Sequence, residues 1–339
     1  MRAYEIQPGT KSLDALRQVE RPEPRPGPTQ VLIRVRAAGL NRRDHSVIQG
    51  IYAGPPLTRP MIPLSDGAGE VVAVGAAVRR FKVGDRVASC FFQRWNDGPF
   101  TASVRGSELG AQNDGMLAEL VALDENGVVA LPEHLSFEEA ATLPCAAVTA
   151  WHALFARGGL KPGDWVLALG TGGVSVAGLQ LAKAAGARVV ITSSSDDKLA
   201  RARALGADGT VNYKATPEWH EAVRRLTGGE GAHQVLEVGG SATITRSIEA
   251  VRLGGFIHQI GFVGGRETAL NLPRFVATDA TWRGVYVGSR AMFEAMNAAI
   301  AASRLRPVVD RVFPFEEARA AYAYQGSGAH FGKVVIALS

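Results

Sequence analysis

The fold of this chain is decided by residues 165–195, WVLALGTGGVSVAGLQLAKAAGARVVITSSS. The apolar runs near its two ends, 165–169 and 188–192, are typical of buried parallel strands. Between them, residues 174–185 are rich in Ala, Leu and Lys and contain no proline, which predicts a helix. The stretch therefore predicts a strand, a glycine turn, a helix and a second strand.

The glycine turn GTGGVS covers residues 170–175. Gly170 and Gly172 match the first two glycines of the dinucleotide pattern G-x-G-x-x-G, and Ser175 stands at the third position. Glycine lets the backbone approach a ligand closely, and the first helical turn offers N–H groups and the positive end of the helix dipole. The turn therefore predicts a pyrophosphate site of a dinucleotide. The alternative is a glycine turn in an unrelated α/β protein.

Length and charge bound the classes of function. The chain has 339 residues, enough for two domains, and its 37 basic and 32 acidic residues give a net charge of +5. No run of Lys or Arg occurs, which argues against nucleic-acid binding, whereas the small basic excess favours an anionic ligand. The two cysteines, Cys90 and Cys145, form neither a disulfide framework nor a C-x-x-C knuckle.

The sequence also bears on location. The first residues contain no apolar signal core, and no stretch approaches about 18 uninterrupted apolar residues. A chain with two distant cysteines is also typical of a reducing compartment. We therefore expect a cytoplasmic protein that does not bind a membrane.

The order of the elements predicts the domains. Residues 1–131 contain short strands joined by Gly, Pro and Asp turns, which indicates a compact β-rich domain. Strands and helices then alternate as far as Val287, with Gly239 and Gly261 at carboxyl ends of strands, where ligands bind. The tail returns to strands. We predict an α/β fold in which a doubly wound parallel sheet is inserted into the β-rich domain.

Six motifs distributed over the chain carry a family resemblance. They are AGLNRRD at 38–44, PLSDGAGEV at 63–71, GDRV at 84–87, GTGGV at 170–174, LGAD at 205–208 and GKVV at 332–335. With them the chain resembles the medium-chain dehydrogenase/reductase superfamily over essentially its whole length. The resemblance implies a GroES-like catalytic domain at 1–126 and 288–339 and a Rossmann domain at 127–287. It also implies hydride transfer with NAD(P), a small-molecule substrate and a homodimer or homotetramer.

Three positions distinguish the branches of the superfamily. Zinc-dependent members carry Cys, His and Cys where this chain has Asn41, Ser65 and Cys145. A catalytic zinc needs about three protein ligands, so we expect no metal, and we interpret Cys145 as a buried small residue. The chain is similar to the zinc-independent branch, which includes quinone oxidoreductases and zinc-type alcohol dehydrogenase-like proteins.

Without a metal, only hydrogen bonds and shape polarise the acceptor. That favours hydride transfer to a quinone or an α,β-unsaturated carbonyl, in which charge spreads onto oxygen. The alternatives are a zinc-free alcohol dehydrogenase or carbonyl reductase, and a dinucleotide-binding protein without turnover.

The end of the second strand of the βαβ unit predicts the cofactor. It reads Ser193-Ser194, without the Asp or Glu that accepts ribose hydroxyls in NAD sites, and Lys198 follows one turn into the next helix. Hydroxyls and an ammonium suit a 2′-phosphate, and relatives place a ring near that phosphate at Tyr213. Asp196 and Asp197 argue against this, but we interpret them as a helix cap. We therefore predict NADPH. The other predicted cofactor contacts are Thr149, Gly170, Thr171, Gly172, Gly173, Val174, Gly239, Gly261 and Phe262.

The resemblance also assigns candidate catalytic residues. Asn41 matches a position that faces the nicotinamide and substrate in quinone oxidoreductases, where its amide would orient a carbonyl. Tyr52 stands where relatives place a tyrosine that donates a hydrogen bond or proton, although it would equally suit packing on the barrel. In the aromatic loop 91–116, Phe92 and Trp95 are candidate walls of the substrate pocket, together with Phe262. The alternative is that the aromatic residues of this loop plug the domain surface.

Overall fold

The computed structural model describes residues 1–9, 11–52 and 56–338. The chain divides into two compact units, the first made of Met1–Val148 with Gly288–Ser339 and the second of Thr149–Val287. The second unit is thus inserted into the first. The predicted boundary after residue 126 falls too early, because the strand Val128–Ala130 pairs within the sheet of the first unit.

The strands and helices are numbered along the chain. The strands of the first segment are β1 (Arg2–Ile6), β2 (Leu16–Glu20), β3 (Gln30–Gly39), β4 (Asp66–Val74), β5 (Arg86–Ser89), β6 (Leu120–Asp124) and β7 (Val128–Ala130). The second unit holds β8 (Trp165–Ala168), β9 (Arg188–Ser193), β10 (Gly209–Asn212), β11 (Ala232–Glu237), β12 (Val251–Gln259) and β13 (Thr281–Gly284), and the last segment holds β14 (Val309–Pro314) and β15 (Lys333–Ala337).

The α-helices are mostly short. They are α1 (Arg42–Ile48), α2 (Phe137–Ala140), α3 (Val148–Trp151), α4 (Gly173–Ala184), α5 (Asp196–Ala204), α6 (Trp219–Leu226), α7 (Ile244–Ala250), α8 (Leu272–Val276), α9 (Arg290–Ser303) and α10 (Ala318–Gly326). Wider π-helical turns, Leu143–Ala147 and His152–Arg157, flank α3. In the described part of the chain, no helix is both long enough and apolar enough to cross a membrane.

The first unit is built on a seven-stranded sheet in the order β14-β15-β3-β4-β5-β7, with β6 also paired to β3. Alternate residues of β3, namely Val31, Ile33 and Val35, face a buried apolar core. Each such side chain contributes about 1.5–3 kcal/mol when it is fully removed from water. The period-two pattern of β3 therefore decides which face of the sheet is covered.

The end of β3 lies between two other strands. Gly39 pairs with Val335 of β15 on one side and with Asp66 of β4 on the other. A side chain is excluded there, because a Cβ at Gly39 would lie 2.2 Å from the carbonyl oxygen of Ala141. The close packing brings the ends of β3, β4 and β15 together.

The second unit is a six-stranded sheet in the order β10-β9-β8-β11-β12-β13, in which every neighbouring pair is parallel. This is the predicted doubly wound arrangement. Strands β9 and β10 extend the sheet to one side of β8, whereas β11 and its successors extend it to the other. The order thus reverses between β8 and β11, and ligands bind at such a switch point. The last strand of this sheet, β13, ends at Gly284.

Candidate active site

The glycine turn of the second unit connects β8 to α4. Gly170 has a φ of 72°, a conformation that favours glycine, and its N–H donates to Thr192 Oγ1 at 3.1 Å. Ser175, which stands in the place of the third glycine, is buried and donates its hydroxyl to the carbonyl oxygen of Leu169 at 2.6 Å. The serine thus fits between helix and strand because its one polar atom is bonded back to the turn.

The same turn leaves room for a ligand. A Cβ at either Gly170 or Gly172 would meet no protein atom within 4 Å, and Gly172, the N-cap residue of α4, has no side chain to cap the helix. The first N–H groups of a helix have no intrahelical acceptor, and the dipole there favours a negative charge. The residues Gly170 to Val174 therefore fit the pyrophosphate of a dinucleotide.

The predicted phosphate-selecting residues meet at the ends of β9 and β10. Tyr213 N–H donates to the carbonyl oxygen of Ser193 at 3.0 Å, which sets the loop after β10 beside the end of β9. Ser193 is buried, whereas Tyr213 is exposed, and Ser194 and Lys198 are half-buried. These four residues therefore lie at or just after the ends of β9 and β10. Their contact with a 2′-phosphate stays a prediction.

The helix cap differs from the predicted one. Ser195, not Asp196 or Asp197, is the N-cap of α5, and its hydroxyl accepts from Lys198 N–H at 3.4 Å. Both aspartates lie exposed in the first turn, where the helix dipole favours carboxylates. Asp196 Oδ1 also accepts from Asn212 Nδ2 at 2.9 Å, which ties it to the end of β10.

A buried carboxylate supports the next strand end. Glu237 ends β11, and its Oε1 accepts from the N–H groups of Gly239 at 2.7 Å and Gly240 at 3.0 Å and from Thr243 Oγ1 at 2.6 Å. Its Oε2 accepts from Ser247 Oγ. Glu237 is not among the predicted site residues, although a single carboxylate in an apolar strand before two glycines is a usable signal.

The loop after β12 lies against the loop after β11. Gly261 N–H donates to the main-chain oxygen of Glu237 at 3.2 Å, and Gly264 N–H donates to that of Gly239 at 2.7 Å. Phe262 between them is 56% exposed. The predicted residues Gly239, Gly261 and Phe262 thus share two adjacent loops. Thr149, the first residue of the second unit, is buried, and its predicted cofactor contact is untested.

In the first unit, a lysine reaches the predicted catalytic amide. Lys333 is 5% exposed, and its Nζ donates to Asn41 Oδ1 at 2.7 Å and to the carbonyl oxygen of Leu40 at 2.6 Å. It also lies 3.4 Å from Asp66 Oδ2. Asn41 is the N-cap residue of α1, and its N–H donates to Asp44 Oδ2 at 2.7 Å. Lys333 is not among the predicted site residues.

The donors at the three zinc-ligand positions do not suit zinc. The Asn41 oxygen is bound by an ammonium, and the Ser65 hydroxyl donates to Asp66 Oδ1 at 2.7 Å. Burial raises the pKa of the Cys145 thiol, and Asp66 raises it further. Within residues 1–9, 11–52 and 56–338, no cluster of three or more His, Cys, Asp or Glu residues is arranged to hold a metal.

Arg43 connects the two predicted catalytic residues. Its guanidinium carbon lies 4.6 Å from the ring centre of Tyr52 and 4.7 Å from that of Phe91, and it donates to the Leu109 carbonyl oxygen at 2.9 Å. Its Nη1 lies 3.5 Å from Asp44 Oδ1, and the other oxygen of Asp44 accepts from Asn41 N–H at 2.7 Å. Asn41 and Tyr52 therefore belong to one cluster.

The charges of this cluster follow from its burial. Burial raises the pKa of Asp44 to about 6, against the attraction of Arg43. Burial also disfavours the charged guanidinium, yet Tyr52 and Asp44 leave the pKa of Arg43 above its ordinary value. The cluster therefore keeps its cation throughout the neutral range.

The aromatic loop is packed on itself. Phe92 and Trp95 are buried, and their ring centres lie 6.0 Å apart in an edge-to-face contact, with Phe100 completing the group. Trp95 Nε1 donates to the Gly98 carbonyl oxygen at 3.0 Å. These contacts match the alternative in which the aromatic residues plug the domain. A role as pocket walls stays a prediction.

Comparison with known proteins identifies the class. The family described as "Alcohol dehydrogenase GroES-like domain" matches residues 27–133, and "Zinc-binding dehydrogenase" matches residues 173–302. The chain is 47% identical over 315 residues to a zinc-type alcohol dehydrogenase-like protein of Schizosaccharomyces pombe, covering 91% of each. It is 36% identical over 252 residues to a quinone oxidoreductase of Pseudomonas aeruginosa, covering 73% of this chain and 69% of the relative.

Solved structures agree with this class. An NAD-dependent alcohol dehydrogenase superposes with a TM-score of 0.91 at 36% identity, and a mycobacterial protein complexed with NADPH superposes with 0.82 at 26% identity; each comparison covers the whole of both chains. Fold, glycine turn and relatives together define a nicotinamide-dependent oxidoreductase. The chain belongs to the medium-chain dehydrogenase/reductase superfamily.

Proposed function

We propose that this chain is an NADPH-dependent, zinc-free oxidoreductase that transfers hydride to a quinone or an α,β-unsaturated carbonyl. The orientation of the Asn41 amide carries the proposal. Lys333 binds its oxygen, which leaves the Nδ2–H₂ group buried with no hydrogen-bond partner in the described part of the chain. An unsatisfied buried donor costs about 1–3 kcal/mol, and a substrate carbonyl oxygen would relieve that cost.

This donor suits a reaction in which charge gathers on oxygen. Bound NADPH supplies the hydride. As hydride adds to the conjugated carbon, negative charge moves to the carbonyl oxygen, and the Asn41 N–H would stabilise it there. Tyr52, whose ring lies against Arg43, would donate the hydrogen bond or the proton that completes the reduction.

The end of β9 supports the phosphorylated cofactor. The strand ends at Ser193, Lys198 lies in the first turn of α5, and the carboxylate of Asp196 is bound to Asn212. Hydroxyl and ammonium groups suit a 2′-phosphate. The mycobacterial complex with NADPH supports the same choice, whereas the NAD-dependent relative represents the competing one.

A second candidate is a zinc-free alcohol dehydrogenase or carbonyl reductase. It is favoured by relatives that carry the name alcohol dehydrogenase, such as the proteins of Geobacillus stearothermophilus and Rhizobium meliloti. The same Asn41 donor would then bind a carbonyl or alcohol oxygen without conjugation.

A panel assay with metal analysis tests the proposal. NADPH absorbance is followed with 1,4-benzoquinone, 2-cyclohexen-1-one and cyclohexanone, and NADP⁺ reduction is followed with cyclohexanol. We expect turnover of the first two in enzyme whose zinc content, measured by mass spectrometry, is far below one per chain. Turnover of cyclohexanol and cyclohexanone alone would favour the second candidate, and activity that tracks bound zinc would overturn the zinc-free proposal.

We also propose a homodimer or homotetramer. In the described ranges β13 pairs only with β12, so it forms the edge of the six-stranded sheet. Trp282 on this strand and Tyr286 just after it are each 38% exposed. An open edge with exposed aromatic residues suits pairing with a second copy. Light scattering at two protein concentrations would test it, and a monomer at both would contradict it.

A further inference from the structure

The Asn41 amide is held by a cation delivered from the far end of the chain. We propose that Lys333 is a positioning residue: its ammonium, held by Asp66, fixes the Asn41 amide so that the Nδ2–H₂ group serves the substrate oxygen. The identity of that oxygen rests on the proposed function. The positioning itself rests on the geometry of the first unit.

Strand register puts the lysine opposite the amide. Val335 of β15 pairs with Gly39 of β3, and Leu40 N–H donates to the Val334 carbonyl oxygen at 3.0 Å, which extends the ladder past the strand end. Counting one residue further along each antiparallel chain sets Lys333 opposite Asn41. The long side chain then needs only to cross between neighbouring strands.

The chemistry of an ammonium decides which way the amide faces. Lysine donates and never accepts, so the amide atom 2.7 Å from its Nζ is the oxygen, and Nδ2 lies on the other side. An amide held by a group that both donates and accepts would be free to turn over. The cation therefore fixes which end of the amide accepts a hydrogen bond and which end donates one.

Every N–H donor of the Lys333 ammonium has an acceptor within the protein. The ammonium has three N–H donors and meets three acceptors, namely the Leu40 carbonyl oxygen, Asn41 Oδ1 and Asp66 Oδ2. A substrate oxygen would have to displace one of them to bind Lys333. We infer that Lys333 acts through Asn41 and does not touch the substrate.

The packing of the strand does not account for a buried lysine here. Its neighbours Val334, Val335 and Ile336 are apolar and fully buried, so an apolar residue would suit the strand. Replacing a buried ion pair with packed apolar residues is often neutral or stabilising. A cation at the position opposite Asn41 is explained by orientation of the amide.

A double-mutant cycle tests whether Lys333 acts through Asn41. Asn41→Asp keeps the oxygen that Lys333 binds but removes the N–H₂ donor, and we expect kcat with 2-cyclohexen-1-one to fall about 100-fold. Lys333→Met leaves the amide free to turn, and we expect a loss of roughly 10- to 100-fold, as for other orienting partners. The double variant is expected to match Asn41→Asp alone, whereas independent roles would multiply.

Two further readouts separate positioning from structure. NADPH affinity, measured by fluorescence, is expected to be unchanged in both single variants. The infrared carbonyl stretch of 2-cyclohexen-1-one bound with NADP⁺ is expected to lose its hydrogen-bonded shift in both. Lys183→Met is the matched control, because it removes another lysine ion pair, with Asp208 in the second unit, and its kcat is expected to stay at the wild-type value.

The outcomes distinguish this inference from the proposed function. Multiplicative losses in the cycle, or an unchanged carbonyl stretch in Lys333→Met, would overturn the positioning role while enone reduction still stood. Wild-type enzyme that turns over only cyclohexanol would refute the proposed substrate class, and the same cycle would then be measured with that alcohol. If Lys333→Met does not fold, Lys333→Arg replaces it. A guanidinium presents its donors in a flat fork, so a wild-type kcat there would contradict the need for an ammonium.

Discussion

Each of the two compact units carries one candidate site, and the two sites are built by opposite means. In the second unit the turn Gly170 to Val174 is open backbone, and a Cβ at Gly170 or Gly172 would touch nothing in the protein. In the first unit the amide of Asn41 is enclosed and held by Lys333, 292 positions away along the chain. The site of the second unit offers N–H groups by its conformation, whereas the site of the first unit directs a side chain by a network.

This difference determines which substitutions each site tolerates. A backbone site fails when a side chain occupies its space, although the folded protein is unaffected. A side-chain network fails when one partner is removed, and buried polar groups are then left unsatisfied. A substitution in the backbone site that destabilises the fold, or one in the side-chain network that leaves stability unchanged, would contradict this comparison.

Glu237 gives the largest expected effect, because it is the centre of a side-chain network in the second unit. Glu237→Ala removes the acceptor of four donors, and we expect the free energy of unfolding to fall by about 4 kcal/mol. Glu237→Gln keeps an oxygen for most of these donors and is the matched control, with an expected loss of about 1 kcal/mol. Urea denaturation measures both. Equal losses would show that the carboxylate is not what holds the loop after β11.

Gly172 should show the opposite behaviour. Gly172→Val adds a side chain in open space, so we expect the free energy of unfolding to change by less than about 1 kcal/mol. NADPH affinity should fall about 100-fold, equivalent to about 3 kcal/mol, because the side chain occupies the approach to the pyrophosphate. Titration calorimetry and denaturation test the two halves of this prediction. A destabilised protein with intact NADPH affinity would contradict the open-backbone interpretation.

His258 adds a pH dependence to the core of the second unit. Burial lowers its pKa to about 3, helped by Arg283 and His152, and its Nε2 lies 3.1 Å from Gln234 Oε1. Below pH 6.5 the unfolded chain takes up a proton that the folded unit refuses until about pH 3. This histidine thus stabilises the fold above pH 6.5, and the stabilisation is lost by about 1.4 kcal/mol per pH unit as the pH falls.

Replacing the imidazole should flatten that dependence. In His258→Gln we expect a shallower decline in the free energy of unfolding between pH 6.5 and pH 4 than in the wild type. Denaturation at several pH values measures the two slopes. Parallel curves would show that His258 does not titrate on unfolding in this range.

Lys198 gives the smallest expected effect, because a partly exposed ammonium is screened by water. Lys198→Ala should lower the preference for NADPH over NADH about tenfold, or 1.4 kcal/mol. Lys161→Ala is the control, since it removes the same charge from the turn before β8, at the amino ends of the parallel strands, whereas Lys198 follows the carboxyl end of β9. Both ratios come from kcat/KM with each cofactor. A ratio of kcat/KM for NADPH over NADH that Lys198→Ala leaves unchanged would overturn the proposed 2′-phosphate contact.

Features that depend on local sequence are predicted correctly, whereas features that depend on long-range pairing are not. The βαβ unit and the inserted parallel sheet are predictable because periodicity and glycines act over short distances. The boundary after residue 126 is wrong because β7 joins β5 through pairing that no local pattern reveals. Ser195 rather than Asp196 caps α5, which shows how several capping residues in a row leave the choice to geometry.

The sequence by itself determined the superfamily, the two-part fold and the glycine turn, because each depends on residues that are near neighbours along the chain. Only the tertiary structure decided that Lys333 reaches Asn41, that Arg43 lies between Tyr52 and Phe91, and that Gly264 binds Gly239. These contacts depend on strand register and burial. Strand register and burial are set only when distant segments pack. The residues next to a side chain in sequence therefore do not determine its partners.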